Sequence, residues 1–341
     1  MPSLSIVIPS YNRAAKLIRL LRNIEAELID SNESGLIHVL LSDNASTDDT
    51  QSKVSSFATT KFELEYFRQE RNIGFDGNVR FLYDAAETDY VWFFSDDDIL
   101  LPGAIAMVQK GLAATEPEVL LFSFIQPPGS EVRTFNLPDQ YAVITEPKEI
   151  IRFVSYYPKV SIYVCRKVEL SDAQRKELEP FYENGFYWID LCYSVLFAAI
   201  KPRLCIISQP LACCDDDFMN LRFGPSVFLR AFTIFQHPFV CAHLPNMAEE
   251  YRVLSYYSAI QLMFAVKMGS LRAEDAVSFE KEMKTLRIPP YALLRSPRAL
   301  MQYLALRLKL VPLYKIYKKM LGRTTQSKLP PEIRKVGGDM K

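Results

Sequence analysis

Residues 90–102 read Tyr-Val-Trp-Phe-Phe-Ser-Asp-Asp-Asp-Ile-Leu-Leu-Pro. An apolar run leads straight into three consecutive carboxylates, Asp96, Asp97 and Asp98, and closes at Pro102. Three adjacent like charges repel one another, so the cluster either ends in solvent or holds a cation. Hard divalent cations take oxygen ligands, and magnesium typically uses one or two carboxylates together with substrate phosphates. Open α/β sheets bind ligands beyond the carboxyl ends of their strands. The run occupies that place if Tyr90–Phe94 is a strand.

The elements needed to position it can be read upstream. Leu4–Asn12 opens as a short, nearly continuous apolar run, the mark of a strand buried on both faces. Pro9 cannot donate to a ladder, which predicts the strand's end there. Between Ala14 and Ile29, Leu17, Leu20, Leu21, Ile24 and Leu28 recur at helical spacing. A second strand, Ile37–Ser42, runs into the capping-rich stretch Asp43-Asn-Ala-Ser-Thr-Asp-Asp49, with a helix following from Thr50 to Phe57. A third strand spans Phe62–Phe67, and Arg71-Asn-Ile-Gly74 opens a helix reaching about Ala86. This alternation predicts a parallel, doubly wound sheet with right-handed crossovers. It also places four polar clusters, around Asn12, Asp43, Asn72 and Asp97, along one sheet edge.

Four segments then carry a resemblance. Ser5-Ile-Val-Ile-Pro-Ser-Tyr-Asn-Arg13, Leu41-Ser-Asp-Asn-Ala-Ser-Thr-Asp-Asp-Thr50, Asn72-Ile-Gly74 and Phe94-Ser-Asp-Asp-Asp-Ile-Leu-Leu-Pro102 resemble, in order and spacing, the successive motifs of family 2 glycosyltransferases of GT-A fold. The resemblance implies a Rossmann-like, mostly parallel sheet flanked by helices. It also implies an inverting transfer of a sugar from a nucleotide diphosphate donor, with Mg2+ or Mn2+ as cofactor. Carried over by position, Pro9 and Tyr11 line the base pocket, with Arg13, Asn72 and Asp96 also on the nucleotide. Asp43 accepts from the base. Asp97 is the principal cation ligand, with Asp98 beside it. Two positions depart from the family. Ser95 stands where the first carboxylate of the aspartate–any–aspartate motif belongs, so Asp96 compensates or the site leans on Asp97 and Asp98. Asp43-Asn-Ala-Ser46 replaces the common Asp-Asp-Gly-Ser, which implies a donor outside the commonest uridine sugars. Arg71–Asn78 together with the aspartate run is most similar to the abequosyltransferase-like and O-antigen transferase subgroup.

A hydroxyl acceptor requires a general base, and the leaving diphosphate requires positive charge. Within Phe181-Tyr-Glu-Asn-Gly-Phe-Tyr-Trp-Ile-Asp-Leu191, Asp190 matches the family's acidic position at the start of a helix, with Ile189 in place of the partner Glu. Glu183 is the alternative base. An aspartate in a first helical turn is also favoured by the helix dipole whatever its role. After the strand Ile206–Cys214, Asp215-Asp-Asp217 reads as a solvated acidic loop or as part of a loop closing over the diphosphate, and Arg222 is the candidate diphosphate contact.

The 341 residues carry 40 Lys plus Arg and 40 Asp plus Glu, so no global field points to nucleic acid. The opening residues read directly as a strand, so no leader segment is expected, and the longest apolar stretch, Leu191–Ile200, is too short to span a bilayer. The six cysteines lack zinc or redox spacing, and the three histidines are scattered. They read as core thiols of a reducing cytoplasm. Ser226–Met268 is helical and aromatic, with Tyr251, Leu254 and Tyr257 read as packing against the catalytic domain. From Tyr291 to Arg323, leucines and tyrosines alternate with Arg295, Arg298, Arg307, Lys309, Lys315, Lys318, Lys319 and Arg323, divided by Pro297 and Pro312. This suits a helix lying in an anionic membrane interface, or an amphipathic helix packed on the domain. The expected organisation is a nucleotide-sugar domain over 1–220, a helical extension over 221–323 and a disordered tail over 324–341. The expected reaction is inverting transfer to a saccharide acceptor, lipid-linked, at the cytoplasmic face of the membrane. The alternatives are a sugar-1-phosphate nucleotidyltransferase, which lacks its Gly-rich loop here, and a catalytically silent nucleotide-sugar-binding partner, suggested by Ser95.

Overall fold

The computed structural model describes residues 1–29, 37–126, 129–130, 134–135, 137, 140–183, 185–215, 220–221, 224–273 and 275–320. The chain forms two compact units: Met1–Asp216 with His237–Leu244, and Asp217–Gln236 with Pro245–Lys341.

The first unit begins with β1 (Leu4–Ser10), α1 (Ala14–Ile29), β2 (Ile37–Asp43), α2 (Thr50–Ser55), β3 (Glu63–Arg68), α3 (Gly74–Ala85) and β4 (Tyr90–Phe93). It continues with β5 (Asp98–Leu100), α4 (Ala104–Thr115), β6 (Val119–Ile125), β7 (Tyr141–Ile144), α5 (Pro147–Tyr156), β8 (Tyr163–Arg166), α6 (Asp172–Leu178), α7 (Tyr187–Ala198) and β9 (Leu204–Cys214). The sheet order is β3-β2-β1-β4-β8-β6-β9-β5, with β7 also on β9. The first four strands pair in parallel, as the strand–helix alternation predicts. The remainder is mixed. β8 enters antiparallel between β4 and β6, and β5 and β7 lie antiparallel on β9. The parallel expectation for the first four strands holds, and the antiparallel pairings enter beyond β4.

β1 also extends past its predicted end, pairing Pro9 with Ser42 and Ser10 with Asp43. Its pairing with β4 stops at Val7–Phe93. Beyond that point no β4 partner remains, so the N–H that proline lacks costs the ladder nothing. The core is formed by β1, β4, β6 and β9, whose residues Ile6, Val7, Trp92, Phe93, Phe122 and Ile206 are fully buried. α1 packs its Leu17, Leu20, Leu21 and Ile24 stripe inward. Polar groups on its later turns hold the neighbouring segments. Asn23 takes the Leu100 N–H at 2.7 Å, and Glu27 accepts the Ala104 N–H at 2.9 Å at the start of α4.

The second unit contains β10 (Asn220–Leu221), α8 (Ser226–Arg230), α10 (Met247–Met268), β11 (Arg272–Ala273), α11 (Ala276–Thr285), α12 (Pro290–Leu294), α13 (Pro297–Arg307) and α14 (Val311–Met320). The short α9 (Pro238–His243) belongs to the first unit. Ala259, Ile260, Met263, Phe279, Ile288 and Ala292 form the core of the second unit. Tyr257 packs against this core, and Tyr251 stacks on Phe235 at 3.7 Å, both within the unit. Gly269 ends α10 with φ 79°, the left-handed conformation glycine adopts without strain. Prolines open α12, α13 and α14 within their first turns, so the basic segment forms three short helices.

Candidate active site

The first four strands deliver their carboxyl ends to one edge. β1 supplies Ser10 and the turn Tyr11–Arg13, β2 supplies Asp43, and β4 runs into Ser95–Asp98. Asn12 has φ 53° and Ala45 φ 62°, so both loops turn sharply as they leave the sheet. The Asn12 side chain accepts the Thr47 N–H at 2.7 Å, and the Asn12 N–H donates to the Ser46 hydroxyl at 2.8 Å. The two loops are therefore laced together.

Asp43 is fully buried. One carboxylate oxygen accepts the Ser46 N–H at 2.8 Å; the other accepts the Tyr66 hydroxyl at 2.8 Å, with the Arg68 guanidinium at 3.6 Å. Burial and then the Asp43 contact push the Tyr66 hydroxyl well above its ordinary range, so it remains a donor. Asn44 joins this loop to the next. Its amide donates to Asn72 and to the Gly74 carbonyl, each at 3.0 Å, and it accepts the Ile73 N–H at 2.8 Å. Asn72 is thus gathered beside Asp43. Pro9 lies buried in β1, while Tyr11 is 43% exposed at the same edge.

The three aspartates have different surroundings. Asp96 is buried, accepting from the Ser10 hydroxyl at 2.8 Å and from Arg13 at 2.9 Å. Burial raises its pKa to about 6, with Asp97 adding to the rise and Arg13 opposing it. Asp98, at the start of β5, is also buried. It pairs with Lys159 at 2.9 Å and accepts a short hydrogen bond from Ser161. Burial pushes Asp98 up to about 6, against the pull of Lys159. For the Lys159 ammonium, burial works downward, but Asp98 and Asp97 outweigh it and leave the pKa raised. Asp97 lies between them with a side chain 17% exposed, hydrogen-bonded by the Ser95 hydroxyl and 3.9 Å from Arg13. Ser95 thus braces the aspartate two residues on.

Sequence reasoning missed Lys159 and Ser161. They sit in the turn feeding β8, which antiparallel pairing brings to the end of β4. It also missed Lys16 and Arg19 of α1, which pair with Asp215 at 3.0 and 3.3 Å, while Arg19 also donates to the Asp97 carbonyl at 3.2 Å. Asp215 is 5% exposed, so at this position the solvated-loop expectation is corrected. A sequence signal existed: two cations three residues apart on the first helix of a site that needs positive charge. Asp216, Asp217 and Arg222 lie outside the described residues. Asp190 is fully buried in the first turn of α7, and Glu183 stands exposed in the preceding turn with φ 73°.

Among the described residues no group of three or more His, Cys, Asp or Glu forms a metal cage. The oxygen chemistry nevertheless fits a magnesium-type ion held by one carboxylate and the substrate's phosphates, and Asp97, with a side chain 17% exposed, is the most accessible carboxylate of the three.

A sheet of this order, with an aspartate run closing β4, defines the GT-A fold. Residues 5–167, just under half of the chain, match the Glycosyl transferase family 2 model. A GalNAc(5)-diNAcBac-PP-undecaprenol beta-1,3-glucosyltransferase of Campylobacter jejuni is 32% identical over 111 residues, 32% of this chain and 34% of that protein. Abequosyltransferase RfbV of Salmonella typhimurium is 34% identical over 110 residues, 32% of each chain. The aligned stretch spans about a third of these relatives. Among solved structures, S. aureus TarS 1-349 in complex with UDP-GlcNAc shares the fold with TM-score 0.56 at 13% identity, over 96% of this chain and 94% of that one. A longer TarS structure gives TM-score 0.53 at 13% identity, over 96% of this chain and 57% of that one.

Proposed function

We propose that this chain transfers a sugar, with inversion, from a nucleotide diphosphate-sugar to a hydroxyl of a lipid-linked saccharide at the cytoplasmic face of the membrane. The observation that carries the reading is the convergence of Asp43, Asn72, Arg13 and Asp97 on one edge of the sheet's parallel part. The Asp43 loop with Tyr11 receives the base. Arg13, Lys16 and Arg19 set positive charge beside the diphosphate's place. A divalent cation, when bound, would be held by Asp97 and would neutralise charge on the leaving diphosphate. In this reading Asp98 is an internal anchor paired with Lys159, not the second ligand expected from sequence. Asp190 takes the acceptor hydroxyl proton as its oxygen attacks the anomeric carbon, while the carbon–oxygen bond to the diphosphate breaks and the nucleoside diphosphate leaves. Asp190 is fully buried, so this reading requires its turn to open before an acceptor can reach it.

The relatives support the acceptor class: one of them, by its description, acts on an undecaprenol-linked saccharide. The membrane side is supported by α12 to α14, where Leu294, Met301, Leu304, Leu308, Leu313 and Ile316 are exposed. Four Lys and three Arg, with no Asp or Glu, fall between Tyr291 and Met320. Among the described residues no helix is long and apolar enough to cross a membrane.

The test is a panel of nucleoside diphosphates scored by thermal stabilisation, followed by transfer and donor hydrolysis with magnesium, manganese or chelator. Stabilisation with turnover supports transfer. Stabilisation without turnover favours the silent binding partner that Ser95 suggests, and stabilisation by none overturns the donor half of the reading.

A further inference from the structure

We propose that Asp76 is a positioning residue that sets the Asp190 helix against the donor loops; this rests on the reading of Asp190 as the base. Asp76 lies in the first turn of α3 and is 4% exposed. Its carboxylate looks outward from its own helix to the start of another. One oxygen accepts the Gly185 N–H at 2.5 Å and the other the Tyr187 N–H at 3.3 Å. Gly185 has φ 86°, a left-handed conformation that presents its N–H at little cost only because it is glycine. Tyr187 is the first residue of α7, and its N–H is among those a helix leaves without an internal acceptor. A carboxylate on these donors caps α7 in trans and satisfies its dipole. Asp190 stands three residues beyond Tyr187, less than one turn away.

The other end of the same turn of α3 is tied to the nucleotide side. Ile73 N–H and the Gly74 carbonyl are bound by Asn44, next to Asp43. One residue further into α3 than Gly77, Asn78 donates to the Ser42 carbonyl at 2.9 Å on β2. Phe75 meets Trp188 edge-on at 5.7 Å, a second contact between the two helix starts. A single rigid turn, residues 73–78, therefore holds the base pocket with one set of bonds and the α7 terminus with another. Since a displacement of about 1 Å can cost on the order of 100-fold in rate, loss of the Asp76 contacts reads out at Asp190.

The experiment is a double-mutant cycle on the full chain. Asp76→Asn, which places an amide donor against N–H groups, is measured alone, with Asp190→Asn, and beside Asp76→Glu. Turnover, donor affinity by titration calorimetry, melting temperature and hydrogen exchange at the 185 and 187 amides are recorded. The expected result for Asp76→Asn is a ~10–100-fold fall in kcat, donor Kd within about twofold, and faster exchange at both amides. In the Asp190→Asn background the same change adds nothing, because the lost positioning has no base to act on. Asp76→Glu, which keeps the acceptor, recovers part of the rate. An equal loss in both backgrounds, or unchanged turnover in Asp76→Asn, overturns the positioning role. So does collapse of donor binding and melting temperature together with rate. Normal turnover in Asp190→Asn instead overturns the base reading itself, a separate outcome.

Discussion

Lys159 meets Asp98 at 2.9 Å, in the turn that feeds an antiparallel strand, and so supplies a cation to an aspartate 61 residues earlier in the chain. Asp98 is 1% exposed while the Lys159 side chain is 26% exposed. Burying the carboxylate is tolerable only with that partner and the Ser161 hydroxyl in place. Lys159→Met strands a buried charge. We expect a loss of roughly 3 kcal/mol, the low end for breaking a buried pair because the lysine is partly wet. Lys159→Met with Asp98→Asn should regain much of it. Urea denaturation measures both, and a single-variant cost under about 1 kcal/mol would show the pair to be dispensable.

Asp97→Asn keeps shape and removes the charge proposed to meet the cation. Transfer should fall at least ~100-fold, the scale of one preorganised electrostatic group. Asp96→Asn should cost less, since Asp96 faces Ser10 and Arg13 inside the loop. Normal turnover of Asp97→Asn at saturating donor contradicts the assignment.

Asp96 carries a pH signature. Its folded pKa of about 6 lies above the ordinary 3.8, so between these values the folded chain holds more of this proton than the unfolded chain. Its contribution to stability therefore falls as pH rises through that window, with a slope of at most about 1.4 kcal/mol per pH unit, and is flat above it. Other carboxylates, such as Asp48 and Asp89, are shifted downward and act oppositely. The difference between wild type and Asp96→Asn in denaturation midpoints from pH 4 to 7 isolates the term. A difference that stays constant across that range would refute the shift.

The basic helices predict lipid binding. Co-sedimentation with vesicles should rise with anionic lipid and weaken in salt, at roughly 1 kcal/mol per cation near the surface. Charge reversal at Arg307, Lys315, Lys318 and Lys319 should release the chain while hydrolysis of soluble donor survives. A chain that ignores vesicles of any composition removes the membrane from the proposal and weakens the lipid-linked acceptor.

Much of the fold was readable because local pattern and tertiary fate coincide in the first 100 residues. α1 runs from Ala14 to Ile29 as its leucine spacing predicts, and β2, β3 and β4 fall within a residue or two of their expected bounds. The same holds for the edge that gathers Asn12, Asp43, Asn72 and Asp97, since parallel strands with short connections put all their carboxyl ends on one side.

The resemblance singles out Asp97, but local pattern alone does not show which of the three aspartates stays accessible. Asp96, Asp97 and Asp98 are chemically identical neighbours, and nothing local separates them. The distinction comes from groups far along the chain or on another element: Arg13 for Asp96, Lys159 and Ser161 for Asp98, and Arg19 on the Asp97 carbonyl. Likewise Asp76 reads from sequence only as an acid in a helix's first turn, and its hold on Gly185 and Tyr187 exists only because α3 and α7 start side by side. Periodicity and turn chemistry act over a few residues, so the sequence by itself determined the strands and the acidic run at β4's end. Ion pairing acts through space, so only the packed sheet, with β8 inserted antiparallel, decided which carboxylates are buried against a cation and which one keeps a partly exposed side chain.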